Sequence, residues 1–182
     1  MIEIKRKTIL NDEDYLRQVS KEVIFNDKNL KRDIKLLDLF CEQTDCLALA
    51  AVQIGIPKRI VYLKKTSLDA IEDDKHNERK ILINPKIISS KGLTRYWEAC
   101  LSCLDNTALV ERPYEIDLEY YDVNGNKHFE NIKGFATTII CHELDHLDGI
   151  LHMDKAIELL QMNKDERKEF RKEHPYEIIS EE

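Results

Sequence analysis

Gly134-Phe135-Ala136-Thr137-Thr138-Ile139-Ile140-Cys141-His142-Glu143-Leu144-Asp145-His146-Leu147 is the stretch whose reading decides the fold. It reads as a helix opened by Gly134 and closed by Gly149. His142-Glu143-Leu144-Asp145-His146 within it is an HExxH motif. Residues four apart stack on one helical face, so the two imidazoles stand side by side, ready to hold one metal ion. Glu143 projects from the neighbouring direction, toward where a water would sit. Two imidazoles and a carboxylate base are the groups that metal-assisted hydrolysis needs. A third ligand is still required.

Outward from this helix, the chain reads as helices, then many short strands, then a helix. Asn11 to Val23 reads as a short helix with an acidic start. Asp27 to Gln43 reads as a stronger one, with Leu30, Ile34, Leu37 and Cys41 at helical spacing and Asp27 as its N-cap. Strands are expected at Arg59 to Leu63, Lys80 to Ile83, Lys86 to Ser89 and Leu93 to Trp97, with an exposed polar loop from Thr66 to Arg79. Tyr114 to Tyr121 and Lys127 to Ile132 flank an Asn124-Gly125 hairpin turn. Asn163 to Glu173 reads as a charged helix stopped by Pro175. This order predicts an α+β fold, with short antiparallel sheets around a central HExxH helix, helices at the N-terminus and one at the C-terminus.

The 182 residues, 42% hydrophobic and 35% charged, are expected to form one domain, 1–182, with a proper core. A net charge of -7 argues against DNA or other nucleic acid held through phosphate contacts. No apolar run approaches a membrane span, and the N-terminus has the look of neither a signal nor a transit peptide. Five cysteines, an odd count, argue against a disulfide framework and for a reducing cytoplasm. The location would be organellar if a transit peptide had been removed.

Three candidates compete for the third ligand. Cys100 would add a thiolate and leave a fourth position for water. His152 would complete HExxHxxGxxH, the metzincin protease pattern. Cys103 together with Cys100 would close a Cys2His2 site, as in a catalytically inactive zinc-binding protein. The short stretch after His152 leaves little room for a metzincin's downstream methionine turn. Taken alone, Gln53 in Ala50-Ala51-Val52-Gln53 reads as a surface amide near a turn. Cys41, Cys46 and Cys141 read as small buried apolar residues, Cys103 as a packing or surface thiol, and His152 as a histidine at the surface or beside the site. Glu98 reads as a structural anchor, and Asp145 is assigned no chemistry. Lys164, Arg167, Lys168, Arg171 and Lys172 alternate with Asp165, Glu166, Glu169 and Glu173, the pattern of a solvated helix face.

Three segments in register, Ala50-Ala51-Val52-Gln53, Glu98-Ala99-Cys100-Leu101-Ser102 and His142-Glu143-Leu144-Asp145-His146-Leu147-Asp148-Gly149, resemble the motifs of the peptide deformylase family. Ile83-Asn84-Pro85 and Arg112-Pro113 look like further landmarks, and the resemblance runs from about Leu10 to Asp154. It implies removal of the formyl group from the N-terminal formyl-methionine of nascent chains, with formate released. It implies one divalent ion, Fe(II) as a rule, with Zn, Ni or Co able to substitute. Carried over motif by motif, Cys100, His142 and His146 would be ligands. Glu143 would be the general base and then the proton donor. Gln53 and the backbone N–H of Leu101 would stabilise the oxyanion. The implied partners are an N-formylmethionyl peptide and, transiently, the ribosome. The family's usual glycines are Cys46, Ala48 and Ala99 here, its usual proline is Val52, and Cys141 replaces a glutamine. A methyl at Ala48 would narrow the peptide cleft and so reduce turnover or alter specificity.

Overall fold

The computed structural model describes residues 4–64 and 79–182. The N-terminal helix is shorter than its sequence suggests: α1 covers only Glu13–Leu16. Leu16 enters the core. Beyond it, the Ser20 N–H bonds to the carbonyl of Leu147 at 2.7 Å and the Lys21 N–H to that of Pro57 at 3.0 Å. Those tertiary partners replace the helical ones, because a donor can serve only one ladder.

Helix α2, Leu30–Thr44, buries Leu30, Ile34, Leu37 and Cys41, as its spacing requires. Its N-cap is Asn29 rather than Asp27. The Asp27 carboxylate instead accepts the Asn29 N–H at 2.8 Å and the Lys58 ammonium.

The nine strands among the described residues follow a single antiparallel logic. Strands β1 (Ala48–Ala50), β2 (Ile60–Lys64), β3 (Arg79–Lys91), β6 (Glu115–Tyr121) and β7 (Lys127–Lys133) form one sheet in the order β1-β2-β3-β6-β7. Strands β8 (Glu158–Gln161), β5 (Asn106–Arg112), β4 (Leu93–Ala99) and β9 (Glu177–Ser180) form a second, ordered β8-β5-β4-β9. The two short strands expected between Lys80 and Ser89 are one strand, β3. Pro85 cannot donate to the ladder, so the register shifts between Ile83 and Lys86. Asn84 takes φ 50° there, and its side chain clamps both backbone groups of Val23. The turn between β6 and β7 forms as expected, with Gly125 at φ 83° and the Asp122 carboxylate accepting the Asn124 and Asn126 N–H groups. The loop expected from Thr66 lies, up to residue 78, outside the described residues.

The five-stranded sheet is covered on both faces. Alternation along β2 sends Ile60 and Tyr62 to one side, where Leu37, Phe40 and Cys41 of α2 meet them. Val61 and Leu63 go to the other side, against Ile140, Leu144 and Leu147 of α3 (Phe135–Leu147). Because one strand feeds both cores, β2 reads as a continuous apolar run. Helix α4, Lys164–Glu173, is capped by Asn163, whose side-chain oxygen accepts the N–H groups of Asp165 and Glu166 while the Glu166 carboxylate accepts that of Asn163. Among the described residues no helix is long and apolar enough to cross a membrane.

Candidate metal centre

Three elements converge on one buried point. Strand β4 ends at Ala99 and delivers Cys100 into a 3-10 turn, Leu101–Cys103. Helix α3 supplies His142, Glu143 and His146. The 3-10 turn that follows β1, Ala51–Ile54, supplies Gln53. One donor atom each from Cys100, His142 and His146 lie within 4.8 Å of one another, close enough to hold one ion.

Each donor is held by its neighbours. The Cys100 Sγ sits 3.1 Å from His146 Nε2 and accepts the Ser102 N–H and the Gln53 amide, both at 3.3 Å. Burial would raise the Cys100 pKa, but a hydrogen bond from the Cys103 thiol and the positive potential of His146 bring it well below the usual thiol range. That direction favours the thiolate, the form that binds metals. His142 Nδ1 lies 2.8 Å from Glu98 Oε2. A carboxylate only accepts, so Nδ1 carries the hydrogen, and Nε2 is the nitrogen left for a metal. Burial lowers the His142 pKa, yet contacts with Cys100 and Glu98 reverse this and raise it well above the usual value.

Glu98 is itself gripped by Arg112 at 2.7 and 2.9 Å through a two-pronged pair, and Arg112 also reaches Asp145 on α3. Lys155 closes the chain on the other Asp145 oxygen at 2.7 Å. Burial would raise the Glu98 pKa, but the bonds from Arg112 and His142 pull it down to about 2. Glu98 and Asp145 thus support the site from behind. The order of the segments pointed to their places, but neither β4–β5 pairing nor the Arg112 bridge is visible in a linear sequence.

Glu143 is buried, and burial outweighs its histidine neighbours to raise its pKa. Its Oε2 is buried without a hydrogen-bond partner among the described residues. Gln53 is buried rather than at the surface. Its Oε1 accepts the Ala50 N–H at 3.0 Å, which turns both amide hydrogens toward Cys100 and Ser102. Leu101 opens the 3-10 turn and its side chain is partly exposed. Of the two readings of His152 the structure gives the one beside the site: it is 1% exposed, on the 3-10 turn His152–Lys155, with its ring centroid 5.5 Å from that of His142 but outside the three-donor cluster. Its Nε2 lies 3.2 Å from the Asn106 carbonyl, and its pKa falls to about 4 through burial and the charge of His142. Cys103 is likewise outside the cluster and fully buried among Leu16 and Leu151.

A thiol, two imidazoles and a buried carboxyl gathered on an α+β fold are the groups of a candidate metal-assisted hydrolase. Comparison with known proteins narrows the class. The family model for polypeptide deformylase matches residues 6–162. The peptide deformylase of Pelagibacter ubique (strain HTCC1062) is 38% identical over 151 residues, 81% of this chain and 84% of that protein. That of Rhizobium meliloti (strain 1021) is 38% identical over 154 residues, 83% and 84% of the two chains. The crystal structure of peptide deformylase from Thermotoga maritima superposes with a TM-score of 0.73 at 28% identity, covering 87% of this chain and 100% of that one. A structure from Synechococcus elongatus in complex with actinonin gives 0.72 at 31% identity, covering 94% and 87%. The chain belongs to the peptide deformylase family, hydrolases that remove the formyl group from N-terminal methionine.

Proposed function

We propose that residues 1–182 act as one deformylase domain built around α3, with Cys100, His142 and His146 holding a single divalent ion. The observation that carries this reading is the convergence of those three donor atoms within 4.8 Å, beside a buried carboxyl oxygen that lacks a partner. One soft thiolate and two imidazoles suit Fe(II), Zn, Co or Ni, and Fe(II) is our choice for the native ion. When bound, the ion supplies Lewis acidity, which polarises a carbonyl and lowers the pKa of water.

The chain's own groups do the rest. Glu143, with its raised pKa, accepts a proton from water at Oε2 and returns it to the amine that leaves as formate departs. The Leu101 N–H and Gln53 Nε2 donate to the oxygen that gains charge at the formyl carbon. Gln53 reaches it by releasing the hydrogen now directed at Cys100. Glu98 keeps the His142 ring in one tautomer throughout. The substrate is an N-formylmethionyl peptide, met at the ribosome in the cytoplasm.

The replacements in the first motif bear on efficiency. Cys46 faces the core on the α2 side, whereas Ala48 is only partly buried and opens β1. By the resemblance of this segment to the family's first motif, Ala48 is the replacement set to narrow the peptide cleft, reducing turnover or altering specificity.

The test is formate release from formyl-Met-Ala-Ser, using protein loaded anaerobically with Fe(II) or Ni(II), with Glu143→Ala alongside. Turnover by the parent and its loss in the variant are expected. No turnover despite one bound ion per chain would overturn the assignment.

A further inference from the structure

Cys103 has no part in the chemistry above, yet it packs in the same buried cluster as the site's sulfur. Cys100 and Cys103 bracket a tight turn, in which the Cys103 N–H bonds to the Cys100 carbonyl at 3.1 Å. A turn closed this way brings its end Cα atoms within about 7 Å, and a disulfide spans Cα separations of about 4.4–6.8 Å. Both cysteines belong to one buried cluster, with Leu16 and Leu151. Cys100 is 7% and Cys103 0% exposed.

We infer that Cys100 and Cys103 form a peroxide-driven modification site, in which Cys103 captures oxidised Cys100 as an intrachain disulfide. The Cys100 thiolate sulfur attacks one oxygen of hydrogen peroxide and the O–O bond breaks. Sulfur is oxidised to sulfenic acid, the peroxide is reduced, and the departing hydroxide takes a proton from solvent to become water. The Cys103 sulfur then attacks the Cys100 sulfur. An S–S bond forms, the S–OH bond breaks, and the Cys103 proton leaves with the hydroxide as a second water. The disulfide removes the site's only sulfur donor in a form that thiols reverse, where further oxidation to sulfinic acid would be permanent. This consequence for the ion rests on the reading of Cys100 as a ligand; the bond itself does not.

The experiment treats the metal-loaded protein with hydrogen peroxide, alkylates free thiols, and reads the peptide carrying both cysteines by mass spectrometry, with bound metal measured in parallel. Wild-type protein should show that peptide two hydrogens lighter and unalkylated, both changes undone by dithiothreitol. Cys103→Ala, checked for an unchanged melting transition, should instead accumulate sulfinic or sulfonic Cys100 that dithiothreitol does not restore. A Cys103 left free beside over-oxidised Cys100 in the wild type would overturn the inference. So would dithiothreitol recovery as full in the variant as in the wild type, or no change at Cys100. A disulfide formed without loss of metal would uphold the inference and count against Cys100 as a ligand.

Discussion

Glu98 shows how much of a metal site lies behind its donors. Its two oxygens are both committed to Arg112, and one of them also fixes His142. Glu98→Gln keeps the shape but loses the charge that holds Nδ1–H, so metal affinity should fall about 10–100-fold; a competition titration against a chromophoric chelator would measure it. The same carboxylate makes stability depend on pH. Its folded pKa is about 2 against 4.5 ordinarily, so between those values the unfolded chain binds more protons. Its contribution is complete above pH 4.5 and is lost as pH falls toward 2. Thermal melts across that window should drop less steeply for Glu98→Gln than for the parent; parallel curves would show that Glu98 is not the group responsible. Ala48→Gly combined with Ala99→Gly should raise kcat/KM on formyl-methionine peptides if added methyls constrict the cleft. Unchanged turnover would end that idea.

At the scale of elements, α2 and α3 clasp the five-stranded sheet from opposite faces. Leu37 is 0% exposed at the middle of the α2 contact. Leu37→Ala should therefore cost about 2–5 kcal/mol in denaturant unfolding. The periodicity of α2 was readable because one face of it is apolar and the other charged. Its start was not, because Asp27 has a competing partner, Lys58, that arrives from a distant segment. Helix α4 is a simpler case, with a capping box that needs no tertiary help. Asn163→Ala should cost about 0.5–2 kcal/mol of local stability, seen as faster amide exchange in Lys164–Glu173 with little change elsewhere.

Across the whole molecule, the C-terminal segment closes the second sheet. Strand β9 pairs with β4, Phe170 packs edge-on against Trp97 with ring centroids 5.1 Å apart, and the Arg171 guanidinium donates to the Trp97 carbonyl. The chain has one tryptophan, so its fluorescence reports on that closure alone. A chain ending at Met162 should show red-shifted emission and a lower Tm, because it uncovers Trp97 and the edge of β4. An unshifted spectrum would mean that the segment is not what shields the indole.

The three motifs, the apolar face of α2, the Asn124-Gly125 turn and the capped α4 were all legible in the sequence, because each depends on residues close together along the chain. Cys100, His142 and His146 were legible as candidates for the same reason, through their local patterns. The motif resemblance already implied Cys100 as the third donor; the tertiary structure brings its sulfur together with the two histidines and leaves Cys103 and His152 outside that cluster. Pairing of β4 with β5, and the bridge from Arg112 to Glu98 and Asp145, set that geometry across long sequence separations. The short strands β8 and β9 and the early end of α1 also escaped the sequence. Their backbone partners come from elsewhere in the fold, and a hydrogen-bond donor takes whichever acceptor the packed chain brings to it.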